Sequence, residues 1–209
     1  PKRYSPEDPI PLVVSSHGAG GSGPGELGGW QGQADKYGFI VICPSYKIVG
    51  QGGSSLRELR RRVAEDDRML SDIMKRAFGS FHIDRKHVLH TGFSGGGVPT
   101  WYIAMNHPEW FTALCFRSGN FYGEFMPLKD STWRNRPIYI FWGTKDHPII
   151  LKKSPVFRNA GEGPKALEFL EKRVRATKLK KEILDGGGHA SRTDLAAKWF
   201  AEEVVQAEE

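Results

Sequence analysis

One serine sits in a setting that suits nucleophilic chemistry. Gly92-Phe93-Ser94-Gly95-Gly96 follows the apolar run His87–Thr91 and opens a helical stretch, Gly95–Asn106. The pattern G-x-S-x-G, placed between a strand and a helix, holds a serine in a strained turn with its hydroxyl projecting. Alone the pattern is weak, and its setting gives it weight. Gly92 and Gly96 suit points where strand and helix approach too closely for a Cβ. Gly95 offers an N–H at a helix start, where an oxyanion is stabilised. The turn has neither the Gly-Lys-Ser/Thr ending of a phosphate loop nor the G-x-G-x-x-G of a dinucleotide loop.

A serine hydroxyl needs a base. Of seven histidines, His82, His87 and His90 lie before or within the strand that leads to Ser94. His107 ends a helix before Pro108, His17 belongs to an early glycine loop, and His147 adjoins a candidate acid. His189 stands apart, because Gly186-Gly187-Gly188-His189 lies between the last strand and the last helix. That puts the imidazole at a strand's carboxyl end, on the same edge as Ser94. The base in turn needs a carboxylate to fix its tautomer and stabilise its cation. Asp146, just past the strand Ile138–Trp142, is preferred over Asp185, which is only four residues before His189 and suits a turn.

A second oxyanion donor is expected from His17-Gly18-Ala19-Gly20-Gly21, after the first strand. The Ala19 N–H is favoured, with Gly18 as the alternative, paired with the Gly95 N–H. His17 is expected to prop this loop through its ring nitrogens. Trp30, Tyr46, Phe121, Tyr122 and Trp133 are candidates for lining a substrate pocket, with ordinary packing as the competing reading for each. Phe93 is expected to pack beside the turn. No Cys/His spacing of the zinc type occurs, so no metal site is expected.

These residues need a frame. Apolar runs at Ile10–Ser16, Phe39–Cys43, His87–Thr91, Thr112–Phe116, Ile138–Trp142 and Lys180–Leu184 read as strands. Between and after them, Gly28–Tyr37, Ser55–Phe78, Gly95–Asn106, Pro164–Ala176 and Arg192–Gln206 read as helices, with Ser54 or Ser55 capping the second. Alternation of this kind predicts an α/β fold: a mostly parallel sheet of about six strands, helices on both faces, and no separate lid domain. Such sheets carry their sites at the carboxyl ends of the strands. The irregular stretch Gly119–Arg136, rich in aromatics, is long enough to be functional.

The composition narrows the classes. A length of 209 residues suits one domain spanning 1–209. Hydrophobic residues at 39% and charged residues at 26% argue against disorder, and no apolar run approaches a membrane span. The net charge of +6 comes with basic stretches at Arg57–Arg62 and Lys172–Lys181. Leu, Val and Glu interleave these at helical spacing, so they read as solvated helix faces and no nucleic-acid partner is expected. Cys43 and Cys115 lie in strand-like runs and read as core thiols. The 25 glycines exceed the usual share and cluster at Gly18–Gly29, Gly50–Gly53, Gly92–Gly97 and Gly186–Gly188. Three of these clusters coincide with the proposed site loops.

Taken together, the HGAGG loop, GFSGGG, the Gly143-Thr144-Lys145-Asp146 turn and the GGGH turn resemble the α/β-hydrolase superfamily over nearly the whole chain, and the order Ser94, Asp146, His189 is that family's order. Within it, PLVVSSHGAGGSG, Trp30, Ala34-Asp35-Lys36-Tyr37-Gly38-Phe39-Ile40-Val41 and Pro44 resemble the esterases that group polyhydroxybutyrate depolymerases with feruloyl and acetylxylan esterases. The chain departs from the depolymerases with Ala190-Ser191 after His189 and Trp142 before Gly143-Thr144. The resemblance implies hydrolysis of small-molecule or polymeric carboxylic esters through an acyl-serine, without a cofactor, with Ser94 as nucleophile, His189 as base and Asp146 as orienting acid. A serine peptidase or amidase on the same fold and a non-catalytic binding module are the alternatives.

Overall fold

The computed structural model describes residues 1–2, 4–48, 56–123, 131–155 and 159–208. The glycines at 50, 52 and 53, the cap candidates Ser54 and Ser55, and Phe125 lie outside the described residues.

Six strands form one parallel sheet: β1 (Ile10–Ser16), β2 (Ile40–Ile42), β3 (Ile83–Phe93), β4 (Ala113–Arg117), β5 (Ile138–Gly143) and β6 (Leu179–Leu184). Their spatial order is β2-β1-β3-β4-β5-β6. The chain steps one way from β1 to β2, then back over β1 to β3. Right-handed crossovers in opposite directions put the connecting helices on opposite faces. Thus α1 (Gly23–Tyr37) packs on one face with α6 (Thr193–Trp199), and α2 (Leu56–Ser80), α3 (Gly97–Asn106), α4 (Pro148–Leu151) and α5 (Glu162–Phe169) pack on the other.

Alternation along the strands divides two cores accordingly. Leu12, Val14, Val88, Leu114, Phe116, Ile138 and Ile140 meet α2, α3 and α5. Val13, Leu89, Ala113, Cys115, Tyr139 and Phe141 meet Trp30 of α1 and Ala197, Trp199 and Phe200 at the chain's end. Burial of both faces explains why the strands read as continuous apolar runs.

Several boundaries differ from the sequence reading. α1 begins five residues early, at Gly23, capped by Ser22, whose hydroxyl accepts from the Gly25 N–H, with Pro24 in its first turn. Its glycines disfavour helix by about 1 kcal/mol each relative to Ala, which hid it. One of them is required, since a Cβ on Gly23 would lie 2.1 Å from the Cys43 carbonyl oxygen. β3 begins four residues early because Asp84, Arg85 and Lys86 are polar and face out, next to a register shift against β1. Ser94–Gly96 forms a 3₁₀ turn ahead of α3, and the last two helices each loosen into a π-helical turn, at Leu170–Val174 and Phe200–Val205.

Candidate active site

The reversal of strand order lies between β1 and β3, where diverging connections open a crevice beyond the carboxyl ends of the strands. Ser94 follows β3 there, partly exposed, with φ at +49°. Among the described residues four non-glycine residues adopt this left-handed region, and three of them, Ser94, Ser118 and Arg192, lie in the segments that follow the carboxyl ends of β3, β4 and β6. Strain of this kind persists only where surrounding structure over-determines it. Here a Cβ on Gly92 would lie 2.3 Å from the Gly96 carbonyl oxygen, and one on Gly96 would lie 2.5 Å from that of His17. The first contact is the strand–helix approach expected from sequence. The second brings β1's end against the turn.

Ser94, Asp146 and His189 meet. The Ser94 hydroxyl lies 2.9 Å from His189 Nε2, and His189 Nδ1 lies 2.5 Å from Asp146 Oδ1. The Asp146 side chain is fully buried, whereas His189 keeps about a third of its side chain exposed. Burial pushes the Asp146 carboxyl up, but hydrogen bonds from His189, Ser118 and the His147 N–H outweigh it and hold the group below the ordinary carboxylate range. An ionised Asp146 makes Nδ1 the donor and leaves the Nε2 lone pair facing the hydroxyl. Asp185 is exposed and accepts from Thr144 at 3.5 Å, serving the turn.

The other histidines are engaged elsewhere. His17 Nε2 accepts from the Tyr46 N–H, so Nδ1 carries the proton and donates to the Gly18 carbonyl at 2.8 Å. The ring therefore braces the loop. His87 pairs with Asp84, His107 with Asp67, and His90 is buried against Phe111. His147 caps α4, its ring 5.9 Å from that of His189. Phe93 packs on the His189 ring and beside Gly18.

Two peptide planes at the crevice are fixed by their carbonyls. The Gly18 carbonyl accepts from His17 Nδ1 and the Gly21 N–H. The Ser94 carbonyl accepts from the Asn120 and Gly97 N–H groups. A trans peptide points its N–H opposite to its C=O. The N–H groups of Ala19 and Gly95 are thereby turned away from these contacts.

Of the aromatics expected to line a pocket, four are buried. Trp30 is fully buried, its indole N–H donating to Ser15 and Glu26. Trp133 is buried and donates to the Ala104 carbonyl. Phe121 stacks edge-on to Trp101, and Tyr46 lies in the core beside His17. Tertiary contacts cover the rings of these four. Tyr122 alone is half-buried.

Residues at the end of β4 went unnoticed in the sequence. Ser118 donates to Asp146 Oδ2, Asn120 holds the Ser94 carbonyl, and the buried Arg117 reaches Ser191, two residues past His189. The available signal was a charged residue closing an apolar strand, ALCFR, at the edge where such sheets carry sites.

No family model matches the chain. Acetylxylan esterase A of Aspergillus awamori is 30% identical over 112 residues, covering 52% of this chain and 37% of that protein. The matched stretch thus spans little more than a third of the relative. SOBER1 of Arabidopsis thaliana superposes with a TM-score of 0.67 at 18% identity, covering 96% of this chain and 100% of that one. An S-formylglutathione hydrolase from Agrobacterium tumefaciens gives 0.62 at 17% identity, covering 95% and 86%. The chain has the α/β-hydrolase fold, and no separate lid domain is evident among the described residues.

Proposed function

We propose that this chain hydrolyses carboxylic esters through an acyl-serine intermediate on Ser94. The observation that carries the reading is the continuous hydrogen-bonded chain from buried Asp146 through His189 to Ser94, with the serine strained at the topological switch point.

In this mechanism His189 Nε2 takes the Ser94 proton as the hydroxyl oxygen bonds to the ester carbonyl carbon. Asp146 stabilises the imidazolium that forms. The tetrahedral oxyanion is held by the Gly95 and Ala19 N–H groups, with Gly18 as the alternative to Ala19. The two locked peptide planes support this role, since a preorganised donor costs no reorganisation when charge develops. His189 then gives its proton to the leaving alcohol, takes one from water as the water oxygen bonds to the acyl carbon, and returns it to the Ser94 oxygen as the acyl–serine bond breaks and the acid leaves. The likeness to an acetylxylan esterase over half of this chain supports a short acyl group on a carbohydrate alcohol.

The test is direct. The folded protein should turn over p-nitrophenyl acetate and take up a fluorophosphonate at Ser94, and Ser94→Ala should lose both without unfolding. A folded wild type that does neither is a binding module, and the proposal fails. Turnover of a matched anilide as fast as the ester would instead identify an amidase.

A further inference from the structure

We infer that Arg117, at the carboxyl end of β4, is the positioning residue for the His189 loop. The inference rests on the reading of Ser94, Asp146 and His189 as a catalytic unit. Arg117 is fully buried, and all five of its N–H donors are spent. Nε donates to Thr91 Oγ1 at 2.9 Å. One terminal nitrogen donates to Ser15 Oγ at 2.8 Å and Glu26 Oε1 at 2.7 Å. The other donates to both the carbonyl and the hydroxyl of Ser191. One planar fork therefore joins β1, β3 and α1 to the segment carrying the catalytic histidine.

That segment needs an anchor. The loop from Gly186 to Arg192 holds three glycines, and Arg192 sits at φ +44°. On its upstream side Gly187 is held against the acid turn through the Lys145 N–H. Downstream of His189, the Ser191 contacts tie it to the sheet, and the Thr193 hydroxyl, just beyond the loop, donates to the Gly29 carbonyl of α1. The cation is in turn held by Glu26. Burial raises the Glu26 carboxyl, but the Arg117 charge and the hydrogen bonds from Ser15, Arg117 and Trp30 hold it below its ordinary value, so the pair stays ionic. Lysine has no planar fork and cannot make this set.

β4 contributes no triad member, yet the residues at its end bond two of them and the loop that carries the third. Arg117 holds the His189 loop, Ser118 holds Asp146, and Asn120 holds the Ser94 carbonyl. Ser118 and Asn120 act at single points, whereas Arg117 spans the crevice and sets the imidazole's distance from the serine.

The test removes the buried pair together, since losing Arg117 alone would strand Glu26. In Arg117→Met/Glu26→Gln, fluorophosphonate should still label Ser94 to full stoichiometry, at a rate lower by about 10²-fold, the cost of an ångström-scale misplacement. The His189 Nδ1 proton bonded to Asp146 should lose its low-field NMR resonance. A merely structural role would lower the labelled fraction and leave the rate of that fraction unchanged. Ser191→Ala, which leaves the ionic pair intact, should slow labelling by about tenfold, the same misplacement at half the contact. The inference is overturned if the folded double variant labels within threefold of wild type, or, where that variant does not fold, if Ser191→Ala does. An unreactive wild type would refute the proposed function instead. The imidazole resonance still reports whether Arg117 orders the loop.

Discussion

Asp146→Asn separates two ways in which a buried carboxylate serves a histidine. The amide is isosteric, but one oxygen becomes an NH₂ group. Oδ1 accepts from His189 Nδ1 and, at 2.6 Å, from the His147 N–H, while Oδ2 accepts from Ser118 and, at 3.3 Å, from the Gly143 N–H. Nitrogen at the Oδ1 position would face a backbone donor at close range and leave it unpaired, at a cost of about 1–3 kcal/mol. It would also force His189 to accept at Nδ1 and protonate Nε2, which removes the base. Nitrogen at the Oδ2 position meets only the long Gly143 contact, and the Ser118 hydroxyl can rotate to accept from it.

The second arrangement therefore wins, and His189 keeps its working tautomer. What is lost is the negative charge beside the forming imidazolium. Two unit charges about 4 Å apart at an effective dielectric of about 20 attract by about 4 kcal/mol, or roughly 10³-fold in rate. That is about tenfold less than the loss of about 10⁴ seen where the same substitution imposes the wrong tautomer in a chymotrypsin-type triad. The assay pairs kcat/KM for p-nitrophenyl acetate with ¹⁵N NMR of the His189 ring. Adding Ser118→Ala should cost about tenfold more, because the amide nitrogen then has no acceptor on its preferred side. An Asp146→Asn ring protonated at Nε2, or a rate loss below tenfold, would refute this account of the acid.

Other predictions follow from the same contacts. Asp185→Asn should leave kcat/KM within about twofold, as expected for a surface change; a loss matching Asp146→Asn would transfer the acid's role. Gly143→Ala puts a Cβ 2.0 Å from the Gly187 carbonyl oxygen and should displace the His189 loop, lowering kcat/KM by about 10²-fold, whereas Gly188→Ala meets nothing within 4 Å and should change it little. Equal effects at the two glycines would rule out steric transmission. Burial of His90 pushes its imidazole down to about 3 from 6.5. The unfolded chain takes up this proton below about pH 6.5 and the folded one does not, so stability should fall by about 1 kcal/mol between pH 6.5 and 5.5, the slope approaching about 1.4 kcal/mol per pH unit below that. Asp66, Asp67 and Glu162, raised by burial, oppose this only at the lower end, where carboxylates titrate. Urea melts between pH 6.5 and 5.5 should therefore steepen for wild type relative to His90→Leu, and parallel curves would count against the buried neutral imidazole.

The difference between what the sequence reveals and what it hides follows the range of the interactions. Strands buried on both faces announce themselves as apolar runs, and the turns after β3, β5 and β6 carry their residues at fixed local offsets. Order and edge alone therefore bring Ser94, Asp146 and His189 to one place. Trp30 and Trp133 cannot be placed that way, because the acceptors that satisfy their indoles, Ser15 and the Ala104 carbonyl, become neighbours only after folding. Arg117 is the extreme case, with acceptors 26, 74, 91 and 102 residues away.

That distribution bears on how the site is stabilised. Ser94, Ser118 and Arg192 each hold a left-handed backbone that costs on the order of 1 kcal/mol or more. Local sequence offers none of them the glycine that would relieve it. Each lies beside a long-range tie instead: Asn120 to the Ser94 carbonyl, Ser118 to Asp146, and Arg117 to Ser191 next to Arg192. The strained conformations and the ties that hold them meet at the end of β4. A substitution there that strands no buried charge, such as Ser118→Ala, should therefore lower reactivity at Ser94 before it lowers global stability, because the first thing released is the strain at the site.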